Sequence, residues 1–325
     1  MLRRFISRKW KQMQTGKRVA SWGVPLIFIL LALPASASGL AGQNAGEASS
    51  PATPAVESSW PDVNLNVVVL DKHGVPQKVD ERKFQILEDG AERPLKPQDS
   101  RDSPVSLALV IDSSGSIFKQ KPAIVSAVTA IIKAMPAGSE TMAVLFADKE
   151  YLDLPFTPVS KVDFSFLDRL QASGPTALND AVFLAEDYII AHAKYARRSL
   201  VILSDGEDNA SHVSRVGVIR RVEQPGAPMV YACTVSRGNI MQSELMAGHI
   251  HMKFLAKWGG GTEFNLDPDP ASAAAQVVAA IRSQYVLEFA AADAARNGKK
   301  HKLAVRLPGE DVQIHVLPDY FAPAK

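Results

Sequence analysis

Val110-Ile111-Asp112-Ser113-Ser114-Gly115-Ser116 and Val201-Ile202-Leu203-Ser204-Asp205-Gly206 are two apolar runs that each stop at an aspartate among small hydroxylated residues. A short apolar run bounded by turn residues reads as a fully buried strand. The polar cluster then falls at the strand's carboxyl end, where open α/β sheets bind their ligands. Between the two lies Gly174-Pro175-Thr176-Ala177-Leu178, a turn that opens a helix and brings one more hydroxyl. Asp112, Ser114, Ser116, Thr176 and Asp205 are all hard oxygen donors, suited to Mg²⁺, Mn²⁺ or Ca²⁺.

Asp112-x-Ser114-x-Ser116, then Gly-x-Thr176-Ala-Leu and Leu-Ser-Asp205-Gly, resemble the metal-ion-dependent adhesion site of von Willebrand factor type A domains, over residues 104–284. All five motif positions are present in order. Ile117 departs from the pattern, where such domains often carry Met, but that position supplies no ligand. The resemblance implies a doubly wound, Rossmann-like α/β fold that binds Mg²⁺ (or Mn²⁺ or Ca²⁺). It implies coordination by the two Ser residues and often the Thr, with one or both Asp residues acting through water. It also implies an open position for an Asp or Glu carboxylate of a protein partner. In the domains that switch, the carboxyl-terminal helix, here Ala271–Ser283, moves. A cation held largely by neutral oxygens stays net positive and attracts a carboxylate, and the free N–H groups at a helix start favour an anion too. Read without the resemblance, Asp112 ends a strand and Ser114 or Ser116 caps the next helix, positions that Asp and Ser favour for their own reasons.

The 325 residues are 46% hydrophobic, ample for an ordinary core, with length for roughly two domains. The formal charge of +2 misleads, because seven of the 36 basic residues and none of the 34 acids lie in residues 1–37. The remainder carries 29 basic residues against 34 acidic, a net of −5, which gives a nucleic-acid role no electrostatic support. The basic start, the apolar run Val24 to Leu33 and Ala35-Ser36-Ala37 form a signal peptide over 1–37, with cleavage after Ala37. The alternative is an uncleaved anchor, the chain's one route to a membrane. The expected location is exported: periplasmic, cell-surface or secreted. The single cysteine, Cys233, sits in an apolar strand-like run and reads as a buried, inert thiol.

Residues 38–61, rich in Ala, Ser, Gly and Pro, read as a flexible linker. Strand character follows at Val63 to Leu70 and Phe84 to Leu87, with a continuation around Arg93 to Lys96 completing a hairpin. It returns at Tyr285 to Phe289, Lys302 to Leu307 and Val312 to Leu317. About three strands at either end would leave an apolar face uncovered. Residues 62–103 and 285–325 are therefore expected to build one small β-sandwich-like domain around an inserted α/β domain at 104–284. These flanks resemble a group of exported bacterial proteins, frequent in acidobacteria and described only as von Willebrand factor A-related. The central region alternates strands (Ser106–Ile111, Thr141–Phe146, an edge near Tyr151–Leu154, Leu200–Ser204, Met229–Val235, Thr262–Asn265) with amphipathic helices. The helices are expected at Ile117–Met135, Phe164–Leu170, Ala177–Tyr195, Arg215–Val222, Glu244–Trp258 and Ala271–Ser283.

Other polar residues read more blandly. Glu207, Asp208 and Asn209 suggest a solvated loop, and Asp180 a first-turn charge that suits the helix dipole. His249 and His251 point different ways on a helix and read as surface residues rather than zinc ligands. Trp258 before Gly259-Gly260-Gly261 reads as a core anchor at a helix stop. The functional expectation is a metal-dependent adhesion or scaffolding module, not an enzyme. Its competitors are a metal-assisted hydrolase, which lacks a Gly-x-Ser-x-Gly elbow and an evident general base, and a structural envelope component with a vestigial site.

Overall fold

The computed structural model describes residues 63–98, 101–236, 242–292 and 297–322. The expected signal peptide at 1–37 and linker at 38–61 lie outside the described residues. Four strands open the described chain: β1 (Val63–Leu70), β2 (Gln85–Glu88), β3 (Ala91–Arg93) and β4 (Leu95–Gln98). An α/β region follows: β5 (Ser106–Asp112), α1 (Lys121–Lys133), β6 (Glu140–Phe146), β7 (Glu150–Pro158), α2 (Leu178–His192) and β8 (Arg198–Ser204). It continues with α3 (Arg215–Val222), β9 (Met229–Thr234), α4 (Gln242–Trp258), β10 (Glu263–Asn265) and α5 (Pro270–Arg282). Strands β11 (Tyr285–Phe289), β12 (Lys300–Arg306), β13 (Gln313–His315) and β14 (Asp319–Phe321) complete it.

The central sheet runs β10-β9-β8-β5-β6-β7, parallel except for the antiparallel edge strand β7. Every residue of β5 is buried. Leu107, Leu109 and Ile111 pack against the helix layer of α1 and α5, while Ala108 and Val110 pack against the layer of α2, α3 and α4. That alternation is the two-sided burial expected of a doubly wound sheet. The strand order reverses at β5, so the carboxyl ends of β5 and β8 flank the topological switch point.

Two antiparallel sheets, β13-β1-β11-β4 and β14-β12-β2-β3, form the sandwich. Each mixes strands from both ends of the chain: β1 pairs with β11 and β13, and β2 with β12. Val63, Leu65, Val67 and Val69 of β1 enter the sandwich core with Ile86, Leu287, Phe289 and Leu303. Val68 and Leu70, on the opposite face of the same strand, join the core of the α/β region. One strand therefore serves two cores, and residues 57–325 form one compact unit.

The structure adds a strand, β14, that the sequence reading did not expect, ends α2 at His192 rather than Tyr195, and departs from that reading at three further places. The first α-helix begins at Lys121 rather than Ile117, after a 3₁₀ turn at Gly115–Ile117, because Pro122 suits a first helical turn. Phe164–Arg169 is a 3₁₀ segment, not an amphipathic α-helix. The continuation near Arg93 is two strands in different sheets: β3 pairs with β2, and beyond Pro94 the chain crosses so that β4 pairs with β11.

Glu186 on α2 is fully buried, and neither carboxylate oxygen has a hydrogen-bond partner among the described residues. Burial holds its carboxyl well above the usual carboxylate range, against the opposing pull of the Arg221 guanidinium. The native state thus keeps a proton that the unfolded chain releases. This penalty is absent below the unfolded pKa and grows as pH rises from there toward the raised folded value. Glu186→Gln is expected to raise the denaturation midpoint at about pH 8, with the gain vanishing near about pH 4. Equal midpoints for the two proteins at the higher pH would contradict a neutral, strained Glu186.

Candidate functional site

Asp112 is the last residue of β5 and is wholly buried. Its Oδ1 accepts the Ser114 N–H at 2.8 Å, and its Oδ2 accepts the Ser204 hydroxyl at 2.6 Å. The first bond closes a local Asx turn that folds Ser114 back over the strand end. The second ties together the ends of β5 and β8. Ser114 Oγ then lies 3.0 Å from Ser116 Oγ.

Backbone contacts draw the Thr176 loop onto this turn. Gly115 N–H donates to Gly174 O at 3.0 Å, and Ser173 N–H to Ser113 O at 3.1 Å. Gly115 does not have a left-handed backbone, and a Cβ there would rest on Gly174 O at 3.5 Å. That is an ordinary van der Waals distance, so neither the turn nor the loop contact demands glycine here. Thr176 is buried, and its N–H donates to Asn209 Oδ1 at 2.8 Å. The Thr176 carbonyl in turn accepts the Asn209 and Ala210 N–H groups at 2.9 and 3.0 Å. Those bonds all use the Thr176 main chain.

Asp205 follows directly on β8 and is buried, with Oδ1 accepting the Glu207 N–H at 3.0 Å. Gly206 (φ +81°) lies so close to α4 that a Cβ would meet Gly248 O at 2.1 Å. A Cβ on Gly248 would meet Asp205 O at 2.3 Å. A mid-helix glycine costs about 1 kcal/mol relative to alanine. Here that cost permits the Asp205 loop to lie directly on the helix backbone.

The segment after Asp205 is partly exposed, with Asn209 exposed as expected of a solvated loop, but its polar groups are committed to structural bonds. Asp208 accepts from the Asn179 amide, the Asn179 N–H and the Ser211 hydroxyl, and Asn209 clamps the Thr176 loop. Asp180 accepts the His212 and Val213 N–H groups at 3.0 and 2.7 Å, so it organises the same segment as well as opening α2. His251 is also corrected, being 2% exposed. Its Nε2 lies 3.1 Å from Asn179 Oδ1 and its Nδ1 3.3 Å from Gly206 O. Asn179 Nδ2 donates to Asp208, so its Oδ1 is the acceptor for a proton on His251 Nε2. Burial, then the Arg215 charge, holds the imidazole below its usual pKa. His249, two positions away, faces outward and pairs with Glu263 at 2.8 Å. His249 also lines a cavity of 240 Å³, whose walls include Asp205, Val235 and Met246.

The five candidate ligands thus lie on three loops that hydrogen bonds stitch together at the switch point. Burial, and then the Asp205 charge, pushes the Asp112 carboxyl up to about 6, although bonds from Ser114 and Ser204 oppose the shift. Neither donor to Asp112 is charged. Buried carboxylates arranged this way call for positive charge, and the hydroxyl pair supplies the neutral oxygens a hard cation prefers, so the donor set fits a divalent metal. With two carboxylates only, it is not a cluster of acids and imidazoles; among the described residues no group of three or more His, Cys, Asp or Glu is placed to hold a metal. Asn179 and Ser204 carry no sequence signal that singles them out, while Asn209 and His251 read in the sequence as solvated residues. Gly248, a glycine amid helical periodicity, was the one local signal of a close approach.

Residues 107–207 match the family model for the von Willebrand factor type A domain. Comparison with curated proteins gave no match. Similar solved structures include a von Willebrand factor type A protein from Catenulispora acidiphila, at 12% identity and TM-score 0.45, covering 83% of this chain and 75% of that one. BatB from Bacteroides thetaiotaomicron is similar at 16% identity and TM-score 0.43, covering 53% and 97%. The manganese-loaded TRAP protein of Plasmodium vivax is similar at 12% identity and TM-score 0.43, covering 71% and 100%.

Gly248→Ala tests the loop-on-helix contact. Helix propensity alone would stabilise this variant by about 1 kcal/mol, but the added methyl must displace the Asp205 main chain. The expected outcome is a lower thermal midpoint than wild type. A raised midpoint would mean that the Asp205 loop yields without penalty.

Proposed function

This chain carries a von Willebrand factor type A domain, and from that premise we propose that it is an exported, metal-dependent protein-binding module. The observation that carries the proposal is the Ser114–Ser116 hydroxyl pair, 3.0 Å apart in the turn after buried Asp112, with the Asp205 charge acting on Asp112 from just beyond neighbouring β8. In this reading Ser114, Ser116 and Thr176 hold Mg²⁺ or Mn²⁺, with Asp112 and Asp205 contributing directly or through water. The bound ion would supply a Lewis-acidic position for an Asp or Glu carboxylate of a protein partner. The chain's own residues set the geometry: Ser204 and the Ser114 N–H orient Asp112, Asn209 holds the Thr176 loop, and Gly248 sets the height of Asp205. The reading includes a signal peptide over 1–37, a linker over 38–61, the metal-binding domain over 104–284 and sandwich strands at 62–103 and 285–325. The metal-assisted hydrolase remains the second reading because His249, oriented by Glu263, borders the cavity that Asp205 also lines. A hydrolase panel run with and without His249→Ala separates it from pure binding.

Alanine at position 112 would strip two donors of a buried acceptor, so Asp112→Asn is the better probe: it keeps an acceptor and removes the charge. Thr176→Ala is cleaner still, since the hydrogen bonds that hold the Thr176 loop use its main chain. Calorimetry is expected to show Mg²⁺ or Mn²⁺ binding lost in Asp112→Asn and weakened at least about tenfold in Thr176→Ala. Unchanged affinity in both would refute the assigned ligands. Partner capture from envelope extract is expected to vanish in excess EDTA and in Thr176→Ala; if it persists in both, a structural role with a vestigial site is the better account.

A further inference from the structure

Seven large apolar side chains are exposed among the described residues, and four of them lie on the neighbouring helices α3 and α4: Val216, Met246, Ile250 and Phe254. Met246, Ile250 and Phe254 recur every fourth residue along α4 and are 58%, 44% and 42% exposed. At about 100° per residue, Lys253 and Lys257 fall on the same edge, within about 60° of Met246 and Ile250. Arg215 begins α3 beside Val216. Arg215, Lys253 and Lys257 form no ion pair or hydrogen bond among the described residues, although Lys253 also acts at a distance on Glu263. Over their whole length α3 and α4 contain five basic residues, Arg215, Arg220, Arg221, Lys253 and Lys257, against one acid, Glu244. The chain beyond residue 37 is net negative, so these two helices are basic against that background, although Arg221 pairs with Asp187 and Arg215 lines a cavity with Asp205, Glu207 and Asp208.

We propose that the outer edge of α4, with the start of α3, is a docking surface for an anionic lipid headgroup layer. Such a surface asks for what this edge offers: apolar side chains that enter the acyl boundary, and lysines whose alkyl stems lie with them while the ammonium groups stay among the phosphates. A helix made for a protein groove would present its apolar anchors as an unbroken stripe at i, i+3, i+4 and i+7. Here lysines interrupt that stripe on the same edge. The charge complementarity is with the anionic headgroups, and each cation near such a surface strengthens binding about fivefold. This face adjoins the candidate metal site, since Met246 and Arg215 each line a cavity with Asp205, but none of its residues is a candidate ligand and the inference does not depend on the metal.

The test uses residues 57–325, which form one compact unit, so the apolar run at Val24 to Leu33 cannot contribute. Sedimentation with phosphatidylcholine vesicles, and with an equal mixture of phosphatidylcholine and phosphatidylglycerol, is expected to show binding only to the mixture. Lys253→Gln with Lys257→Gln is expected to weaken partitioning about thirtyfold, and Ile250→Ser with Phe254→Ser at least about tenfold. All four positions are exposed, and circular dichroism checks that the variants remain folded. EDTA should leave partitioning unchanged, which separates failure of this surface from failure of the metal reading. Absence of binding to the mixed vesicles, or equal binding by the variants, overturns the proposal. So does a concentration-dependent dimer that the Ser variants abolish without any vesicle binding, since the face would then be a contact between two copies.

Discussion

Everything at the candidate site answers one constraint: a carboxylate stands, fully buried, at the end of a strand whose other residues are almost all apolar. Removing an ionised carboxylate from water costs several kcal/mol unless hydrogen bonds or charge offset it. Asp112 meets the constraint in part, through the Ser114 N–H and the Ser204 hydroxyl. Those two bonds dictate much of the local fold, because one bends the chain back over the strand end and the other joins β5 to β8. Neutral donors do not complete the compensation while Asp205 lies beside it, as the raised Asp112 pKa reflects. The site is therefore a structure with a residual demand for positive charge, built where the sheet's topology leaves a crevice.

Much of this was legible before any coordinates. The five candidate ligands sit in short local patterns, and the β5 and β8 runs are apolar enough to announce buried strands. The flanking strands were legible by an argument of insufficiency, since neither end had enough partners for its apolar face. The parts that were not legible depend on contacts across sequence. His251 and His249 carry the same local signal, yet one is buried against Asn179 and the other faces Glu263, because two positions on a helix point to opposite sides. Asp208 and Asn209 looked like a solvated run because nothing local reveals that their acceptors meet α2 and the Thr176 loop. The start of α1 differs because periodicity extends through Ile117, while a 3₁₀ turn at Gly115–Ile117 and Pro122 in the first helical turn set the boundary.

The glycines at the end of α4 show the same limit in another form. Their sequence marks a helix stop, and Gly260 does have φ +76°. Their positions owe more to crowding. A Cβ on Gly259 would meet Val230 Cγ2 at 2.2 Å, on Gly261 it would meet Val230 O at 2.0 Å, and on Gly260 it would meet Leu317 N at 2.4 Å. The first two contacts seat the turn on β9, and the third seats the sandwich on the turn. Lys300 reinforces this seam, reaching buried Glu223 at 2.7 Å and lying over the Trp258 ring. Trp258 is thus an anchor between two parts of the molecule as well as the end of a helix.

That seam bears on the carboxyl-terminal helix, α5, whose displacement the family resemblance raises as an expectation. Arg197 is buried and donates to Ser103 O and Ile281 O, so it binds the end of α5 to the entry of β5. Gln284 accepts the Ser199 hydroxyl at 3.1 Å and donates to Tyr231 OH at 2.9 Å. One residue later β11 begins, held between β1 and β4 by antiparallel pairing on both sides. A shift of α5 along its axis would have to break the buried Arg197 and Gln284 bonds, each leaving polar groups without partners, or carry β11 and its two neighbours with it. Leaving a buried polar group unsatisfied costs about 1–3 kcal/mol, so local slippage of α5 alone is the more expensive course. Any displacement of this helix is therefore mechanically tied to the sandwich strands β1, β4 and β11.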